Sequence, residues 1–126
     1  MSGLLISNDL FFTSKITGTA AQLGSRCELV GSQSLVLDRL ATVPYRAVFI
    51  DLAHTGLDLA ALVAAARTQS PAPRVIAFGS HVATDRLDEA RTAGCDDVMP
   101  RSRFSGQLPD ILRATLLAQS DTPKAT

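Results

Sequence analysis

The sequence lacks a net charge, because its 12 lysine and arginine residues balance its 12 aspartate and glutamate residues. A chain without a net charge has no overall field that would draw it to nucleic acid or to an anionic membrane surface. A long apolar run is also missing: the longest weakly polar stretch, residues 57–66, contains Asp58 and is far shorter than the roughly 20 residues of a membrane-spanning helix. The sequence therefore predicts neither nucleic-acid binding nor membrane insertion.

Cysteine is scarce as well, since the 126 residues include only Cys27 and Cys95. Small secreted domains that depend on disulfides use cysteine more densely. The first apolar run begins at Leu4, which leaves no room for the charged and apolar regions of a secretory signal peptide. We therefore expect two buried free thiols in a cytoplasmic protein.

Several motifs of nucleotide-dependent and acyl-transfer enzymes are absent. No Gly-x-Gly-x-x-Gly follows the first apolar run and no Gly-x-Ser-x-Gly occurs, which argues against a dinucleotide-binding enzyme and an α/β hydrolase. A flavodoxin-like cofactor protein would need a phosphate loop rich in serine, threonine and glycine after that run, where residues 8–12 bring an acid and two aromatic rings instead. Such a cofactor protein is the least favoured alternative, and a flavin-containing one would be yellow when purified.

What the sequence does contain is a regular alternation of apolar runs with segments of helical period. This pattern predicts strands at residues 4–7, 27–30, 47–50, 75–78 and 97–99 and helices at 10–23, 33–40, 57–67, 84–93 and 108–117. Strands that alternate with helices through short links form a parallel sheet covered by helices on both faces. We predict one α/β domain over residues 1–119 and a disordered polar tail over residues 120–126.

Two acids follow two of the predicted strands. Asp51 comes directly after the most apolar strand, and Asp9 follows the first strand. The carboxyl ends of parallel strands share the sheet edge where ligands bind in open α/β folds, so both acids should lie in one crevice. Structural roles are open to both residues, since Asp51 can cap the following loop and Asp9 can cap the first helix.

Three segments together resemble the receiver domain of two-component response regulators. They are residues 4–9, residues 48–51 and residues 94–98, and the resemblance covers the chain to about residue 119. It implies a flavodoxin-like, doubly wound sheet with strand order 2-1-3-4-5 and five helices. The resemblance also implies a role in signal transduction and no enzymatic turnover, beyond slow self-phosphorylation and dephosphorylation at Asp51.

The resemblance assigns roles to the strand-end residues. Asp51 falls on the phospho-acceptor, and Asp9 falls on the second of two acids that hold Mg²⁺ in the family. Asn8 replaces the first of those acids. An asparagine still offers a carbonyl oxygen to a hard cation, but it removes one negative charge. We therefore expect a weak magnesium site at Asp9, Asp51 and Asn8.

The signalling residues of the family are less well matched. Gly79 stands where the family has a hydroxyl residue, although Ser80 is adjacent, and Val98 replaces an aromatic residue that moves on activation. Arg101 replaces the lysine that binds the phosphoryl oxygens, and arginine is bulkier, planar and forked. We assign Arg101, Ser80 and Gly79 to the phosphoryl site, and we expect an Asp9–Arg101 ion pair when no metal is bound.

These matches favour a stand-alone, atypical receiver that signals through protein contact. The alternative is a pseudo-receiver that acts as an interaction or assembly module without phosphorylation. The expected partners are a histidine kinase, a phosphotransfer protein or a downstream signalling protein. The family also pairs through the fourth helix, fifth strand and fifth helix, which makes that face a candidate for a homodimer.

Three further residues carry predictions. Phe11 and Phe12 are adjacent in the first helix, so they cannot share one face: one should pack in the core and the other should be exposed as a docking position. His54 lies just after Asp51, in a segment where we expect a solvated loop histidine.

Overall fold

The computed structural model describes residues 2–117. Its strands are β1 (Ser2–Ile6), β2 (Arg26–Val30), β3 (Ala47–Asp51), β4 (Arg74–Gly79) and β5 (Asp97–Pro100). Its helices are α1 (Leu10–Gln22), α2 (Gln33–Thr42), α3 (Leu59–Arg67), α4 (Thr84–Ala93), α5 (Arg101–Gly106) and α6 (Leu108–Leu112), and a π-helical segment, Arg113–Leu117, continues α6. The predicted tail, residues 120–126, lies outside the described residues.

The five strands form one parallel sheet in the order β2-β1-β3-β4-β5. This arrangement confirms the predicted flavodoxin-like fold. Leu5 pairs with Leu29 on one side and Phe49 on the other, so β1 lies inside the sheet and β2 forms its edge. Every residue of β3 is buried, because helices cover both faces of a parallel sheet.

Each face of the sheet has its own apolar core. Leu4, Ile6 and Ile50 point to the face covered by α2, α3 and α4. Leu5 and Phe49 point to the opposite face, where α1, α5, α6 and the π-helical segment pack. Burying one such side chain contributes roughly 1.5–3 kcal/mol, so the alternation along each strand fixes which residues reach the carboxyl edge of the sheet.

Several predicted helix ends are confirmed by their caps. The Ser32 side chain accepts a hydrogen bond from the Leu35 amide and begins α2, and Gly94 ends α4 at a φ of 100°. The third helix was predicted to start at residue 57 but starts at Leu59, because the Asp58 side chain caps it by accepting from the Ala61 amide.

The structure contains one helix more than the sequence predicts. Arg101 begins the short helix α5, directly after the final residue of β5. Its sequence, Arg-Ser-Arg-Phe-Ser-Gly, has a single apolar side chain, Phe104, which is fully buried. One apolar residue cannot establish a helical period, which is why the pattern did not reveal α5. Among residues 2–117 no helix has both the length and the apolar character needed to cross a membrane.

Candidate functional site

The Asp51 carboxylate lies at the end of β3 and is almost completely buried, with 1% of its surface exposed. Its Oδ2 accepts a hydrogen bond of 2.7 Å from the hydroxyl of Ser7, at the end of the neighbouring β1. Its Oδ1 accepts one of 3.0 Å from the backbone amide of Ala53. The turn after β3 and the end of β1 therefore fix the orientation of the carboxylate.

Arg101 supplies the positive charge of the site. As the first residue of α5, it directs its guanidinium over the strand ends. Nη2 lies 3.2 Å from Oδ1 and 3.4 Å from Oδ2 of Asp51, and Nη1 lies 3.1 Å from Oδ2 of Asp9. One guanidinium thus bridges the two acids that the sequence predicts to meet, and the expected Asp9–Arg101 ion pair is present.

The hydrogen-bonding capacity of Asp51 is filled. Ala53 and Arg101 donate to Oδ1, and Ser7 and Arg101 donate to Oδ2. A carboxylate offers about four lone-pair positions, so each of them has a donor here. In this arrangement, an Asp51 oxygen has a lone pair free for attack only after one of these hydrogen-bond donors has moved away.

Asp9 fills both of the roles considered from the sequence. Its Oδ1 accepts from the Phe12 amide at 3.0 Å and caps α1, while its Oδ2 faces Arg101. The Phe12 amide is the main reason that the pKa of Asp9 lies below its usual value, and the Arg101 guanidinium lowers it further. Desolvation opposes both effects, and the Asp9 side chain stays 35% exposed.

An aromatic cluster packs against the Arg101 side chain. The Arg101 guanidinium carbon lies 4.9 Å from the ring centroid of Phe12, which is a cation–π distance. Phe12 in turn meets Phe78 edge-on at 5.3 Å, and Phe78 stacks on Phe104 at 4.3 Å. The core of the α1 face therefore holds the guanidinium in place over the two acids.

The predicted magnesium ligands do not form a metal site in this arrangement. Arg101 already binds both Asp9 and Asp51, and the exposed Asn8 directs its Oδ1 toward Gly31, 3.3 Å from the position of a Cβ on that glycine. Within residues 2–117, no group of three or more histidine, cysteine, aspartate or glutamate side chains could hold a metal ion. A cation would have to displace the guanidinium first.

Gly79 lies beside Leu52, which is the residue after Asp51. A Cβ on Gly79 would lie 3.0 Å from the Leu52 Cβ, which is tighter than most carbon contacts. The Leu52 side chain is buried, and its amide donates to the Phe78 carbonyl oxygen. A hydroxyl side chain at residue 79 would therefore require Leu52 to move by a few tenths of an ångström.

Ser80 and His81 line a different cavity from Asp9 and Asp51. Together with Ala53, Arg101 and Ser102 they line a cavity of about 420 Å³. Ser80 and His81 are exposed, and the Ser80 hydroxyl accepts from the Val82 amide. Their assignment to a phosphoryl site stays a prediction, and Val98 packs against the opposite core, on the α4 face.

His54 lies in the loop after β3, as predicted, but it is half-buried and contacts two carbonyl oxygens. Its Nε2 lies 2.5 Å from the Gly31 carbonyl oxygen and its Nδ1 lies 2.6 Å from the Thr55 carbonyl oxygen. The ring therefore ties the loop after β2 to the loop after β3. It also lines a second cavity, of about 330 Å³, with Asn8, Asp9, Asp51, Ala53 and Arg101.

Ser7 is the functional residue that the sequence analysis did not single out. It is buried, donates to Asp51 and accepts from the Asp9 amide at 3.1 Å. A polar residue at the end of an otherwise apolar strand was the available signal, because a buried hydroxyl needs a partner.

Of the two adjacent phenylalanines, Phe12 packs in the core and Phe11 is 94% exposed. This confirms that one ring packs against the core and the other is exposed, and the docking role of Phe11 stays a prediction. Leu10, beside Phe11, and Val82, beside His81, are exposed as well. Exposed apolar side chains therefore follow Asp9 and His81 directly in the chain.

No protein-family model matches the sequence, and the search of curated proteins found no match. The fold, in contrast, is similar to that of many solved receiver domains. One is the receiver domain of a sensor histidine kinase from Pseudomonas aeruginosa, solved with magnesium coordinated in its active-site cleft: the TM-score is 0.75 and the identity 20%, over 93% of this chain and 98% of that one.

Two other structures extend the comparison. A CheY-like receiver domain from Methanospirillum hungatei gives a TM-score of 0.76 at 13% identity, over 95% of this chain and 96% of that one. An atypical orphan response regulator, described as having a phosphorylation-independent regulatory mechanism, gives 0.73 at 16% identity, over 94% and 97%. The chain therefore has the receiver fold of response regulators.

Proposed function

We propose that this receiver-fold chain is an atypical response regulator that transmits a signal by contact with a partner protein. In the resting state of the protein, Arg101 occupies the position beside the two acids that a metal ion or a phosphoryl group would need. The observation that carries this proposal is that one guanidinium binds both Asp9 and Asp51. The charge of the acids is thereby partly neutralised from within the chain.

The strength of this contact decides how far it limits phosphorylation. Arg101 is 34% exposed, so water screens its ion pairs, and releasing it costs about 1–2 kcal/mol. That cost corresponds to a population of the released state lower by roughly 5- to 30-fold. We infer that Arg101 slows phosphoryl transfer to Asp51 without abolishing it.

Phosphorylation at Asp51 is accordingly the second candidate function. It is favoured by the 330 Å³ cavity, which reaches Asp51 and Asp9 beside Arg101. A histidine kinase or phosphotransfer protein would then be the donor. Magnesium would compete with Arg101 for the same two carboxylates, so we expect weak binding of Mg²⁺.

Exposed apolar side chains support signalling by protein contact. Phe11 and Leu10 begin α1 next to the crevice, where a partner would meet both them and the Arg101 contact. An exposed apolar patch of this kind is typical of an interaction site. The fourth-helix face is a weaker candidate, because Arg86 pairs with Glu89 and Arg91 with Asp88 within the chain.

Acetyl phosphate with magnesium, followed by intact-mass measurement, tests this function. Wild type should gain one phosphoryl group slowly, Arg101→Lys should gain it at least several-fold faster, and Asp51→Asn should gain none. No uptake by wild type or Arg101→Lys would establish the phosphorylation-independent alternative. Equal and rapid uptake by both would contradict the proposed role of Arg101.

An amide NMR titration with magnesium and beryllofluoride separates binding from signalling. We expect shifts at residues 8–9, 51, 79–80 and 101 that Asp51→Asn abolishes. Shifts that extend to α4 and β5 would mean that the acceptor site communicates with that face although Gly79 and Val98 lack the family's switch groups. A response confined to the crevice would favour α1 as the contact surface.

A further inference from the structure

The two edges of the sheet differ in how well they are protected. At one edge, β5 has four residues and ends in Pro100. A short strand and a proline are usual means of blocking an edge strand. At the other edge, β2 has five residues without proline and pairs only with β1. We propose that a second copy of this chain docks antiparallel along β2, to form a continuous sheet across a twofold axis.

The backbone of β2 offers hydrogen-bonding groups to such a partner. The Val30 carbonyl oxygen accepts from the Ser7 amide, so the backbone groups of Val30 face β1. The direction of these groups alternates along a strand, which makes Glu28 face β1 too and turns Cys27 and Leu29 toward the open edge. Cys27 therefore presents an amide and a carbonyl group that can form the closely spaced hydrogen bonds of an antiparallel pair.

Charge selects one register among those that this backbone direction allows. With Cys27 opposite Cys27 of the second copy, Arg26 lies opposite Glu28 of the second copy, and the same pair recurs on the other side of the axis. A shift of two residues in one direction places Glu28 opposite Glu28, and a shift in the other places Arg26 opposite Arg26. Opposite charges stabilise a cross-strand pair and like charges destabilise it, so the Cys27 register is favoured.

The groove beside β2 has the charge that this register requires. It measures about 630 Å³ and lies between β2 and α2, and its charged lining residues are Glu28, Asp38 and Arg39. Two acids and one base give the lining a net charge of −1. An incoming Arg26 would balance it and would join Glu28, whose carboxylate already binds Arg39 and accepts from the Tyr45 hydroxyl.

Apolar surface at the same edge adds to the contact. Leu29 is 41% exposed and Leu35 is 54% exposed, and both line the groove. They are two of the five exposed large apolar side chains of the described residues. An interface that covered them would remove apolar area from water, which is the main driving force of association.

Sedimentation or light scattering of the full chain across a concentration series tests the dimer. Wild type should form dimers, Arg26→Glu should raise the dimer dissociation constant by at least about tenfold, and the double variant Arg26→Glu, Glu28→Arg should restore association. Arg103→Glu is the matched control: it reverses an exposed arginine in α5, away from β2, and should leave the dimer unchanged.

Three results would overturn the proposal: a wild-type chain that stays monomeric at submillimolar concentration, a dimer that Arg26→Glu leaves intact, or a dimer that Arg103→Glu disrupts. The last would place the contact on the opposite edge. Circular dichroism of each variant checks folding. The dimer does not involve Asp51, so its failure leaves the proposed function standing.

Discussion

An arginine binds aspartate at the amino ends of the strands (the amino edge) and another does so at their carboxyl ends (the carboxyl edge). The two clusters differ in composition. At the amino edge, Arg67 donates to both oxygens of Asp96, at 3.1 and 3.2 Å, and also to the Gly94 and Pro73 carbonyl oxygens. Asp96 additionally accepts from the Val75 amide at 2.7 Å. One charge of each sign and several backbone groups satisfy one another, so this cluster closes turns and needs nothing else.

At the carboxyl edge, Arg101 is shared between Asp9 and Asp51. The three side chains carry a net charge of −1, and Arg101 lines two cavities. The comparison teaches that an arginine–aspartate contact is not in itself a mark of function. What distinguishes the carboxyl edge is an excess of acid beside accessible space, where a cation could compete with Arg101 for the two carboxylates.

Removal of either arginine should have the largest effect on stability and tests the difference between the two clusters. Arg101→Ala leaves a buried carboxylate with an uncompensated charge, and we expect a loss of about 2–4 kcal/mol in the free energy of unfolding. Magnesium should restore part of it, because the two acids become free to bind the cation. Arg67→Ala should cost about 1–3 kcal/mol, and magnesium should not restore it. Chemical denaturation with and without Mg²⁺ measures both, and equal rescue of the two variants would contradict the distinction.

The Gly79–Leu52 contact sharpens the account of the carboxyl edge. Gly79→Ser should destabilise the protein by about 1–3 kcal/mol, because the new Cβ crowds the buried Leu52, which must move by a few tenths of an ångström. Gly18→Ser is the matched control, since no atom lies within 4 Å of a Cβ at that exposed position. Thermal unfolding of both variants is the measurement, and a Gly79→Ser protein as stable as Gly18→Ser would show that the space is available after all.

The Ser7 hydroxyl should contribute less to the environment of Asp51 than Arg101 does. Ser7→Ala removes the 2.7 Å hydrogen bond to Oδ2, and we expect a loss of about 1–2 kcal/mol. The same change should make Asp51 react faster with acetyl phosphate, since Oδ2 keeps only the long contact with Arg101. A Ser7→Ala protein that is less stable but no more reactive would mean that Arg101 alone limits the acceptor.

Lowering the pH should weaken the contact between Asp9 and Arg101 at the carboxyl edge, and this is the smallest of the expected effects. The pKa of Asp9 is lowered from 3.8 in the folded state, first by the Phe12 amide and then by Arg101. A lowered pKa means that the contribution of Asp9 to stability is complete above the unfolded value and is lost as the pH falls through the folded value. NMR of the Arg101 and Arg67 side chains should therefore show that Arg101 changes as Asp9 titrates. Asp9→Asn should remove that step from the Arg101 curve and leave the Arg67 curve unchanged.

The strand and helix pattern could be predicted because local chemistry decides it. Ala47–Asp51 is a strand buried on both faces, as its run of apolar residues indicates, and Asp9 and Ser32 begin helices as capping residues do. Helix α5 could not be predicted, because its single core contact, Phe104, depends on rings that come from other elements.

The crevice was predictable to the same extent. The positions of Asp9, Asp51 and Arg101 follow from the rule that the carboxyl ends of parallel strands share an edge. The hydrogen bond from Ser7, the contact of His54 with two carbonyl oxygens and the proximity of Leu52 to Gly79 were not predicted. All of these except the His54–Thr55 contact depend on distances between segments that are far apart in the sequence.

The sequence by itself thus determined the order of the elements, the parallel sheet and the residues at its carboxyl edge, because apolar period, caps and strand ends are local properties of the chain. Only the tertiary structure decided that a single guanidinium binds both acids, that the donors to Asp51 are complete and that β2 is the less protected edge. The physical reason is that hydrogen bonds and ion pairs require their atoms to lie within about 3 Å of each other. Packing between distant segments, and not the identity of the residues, sets that distance.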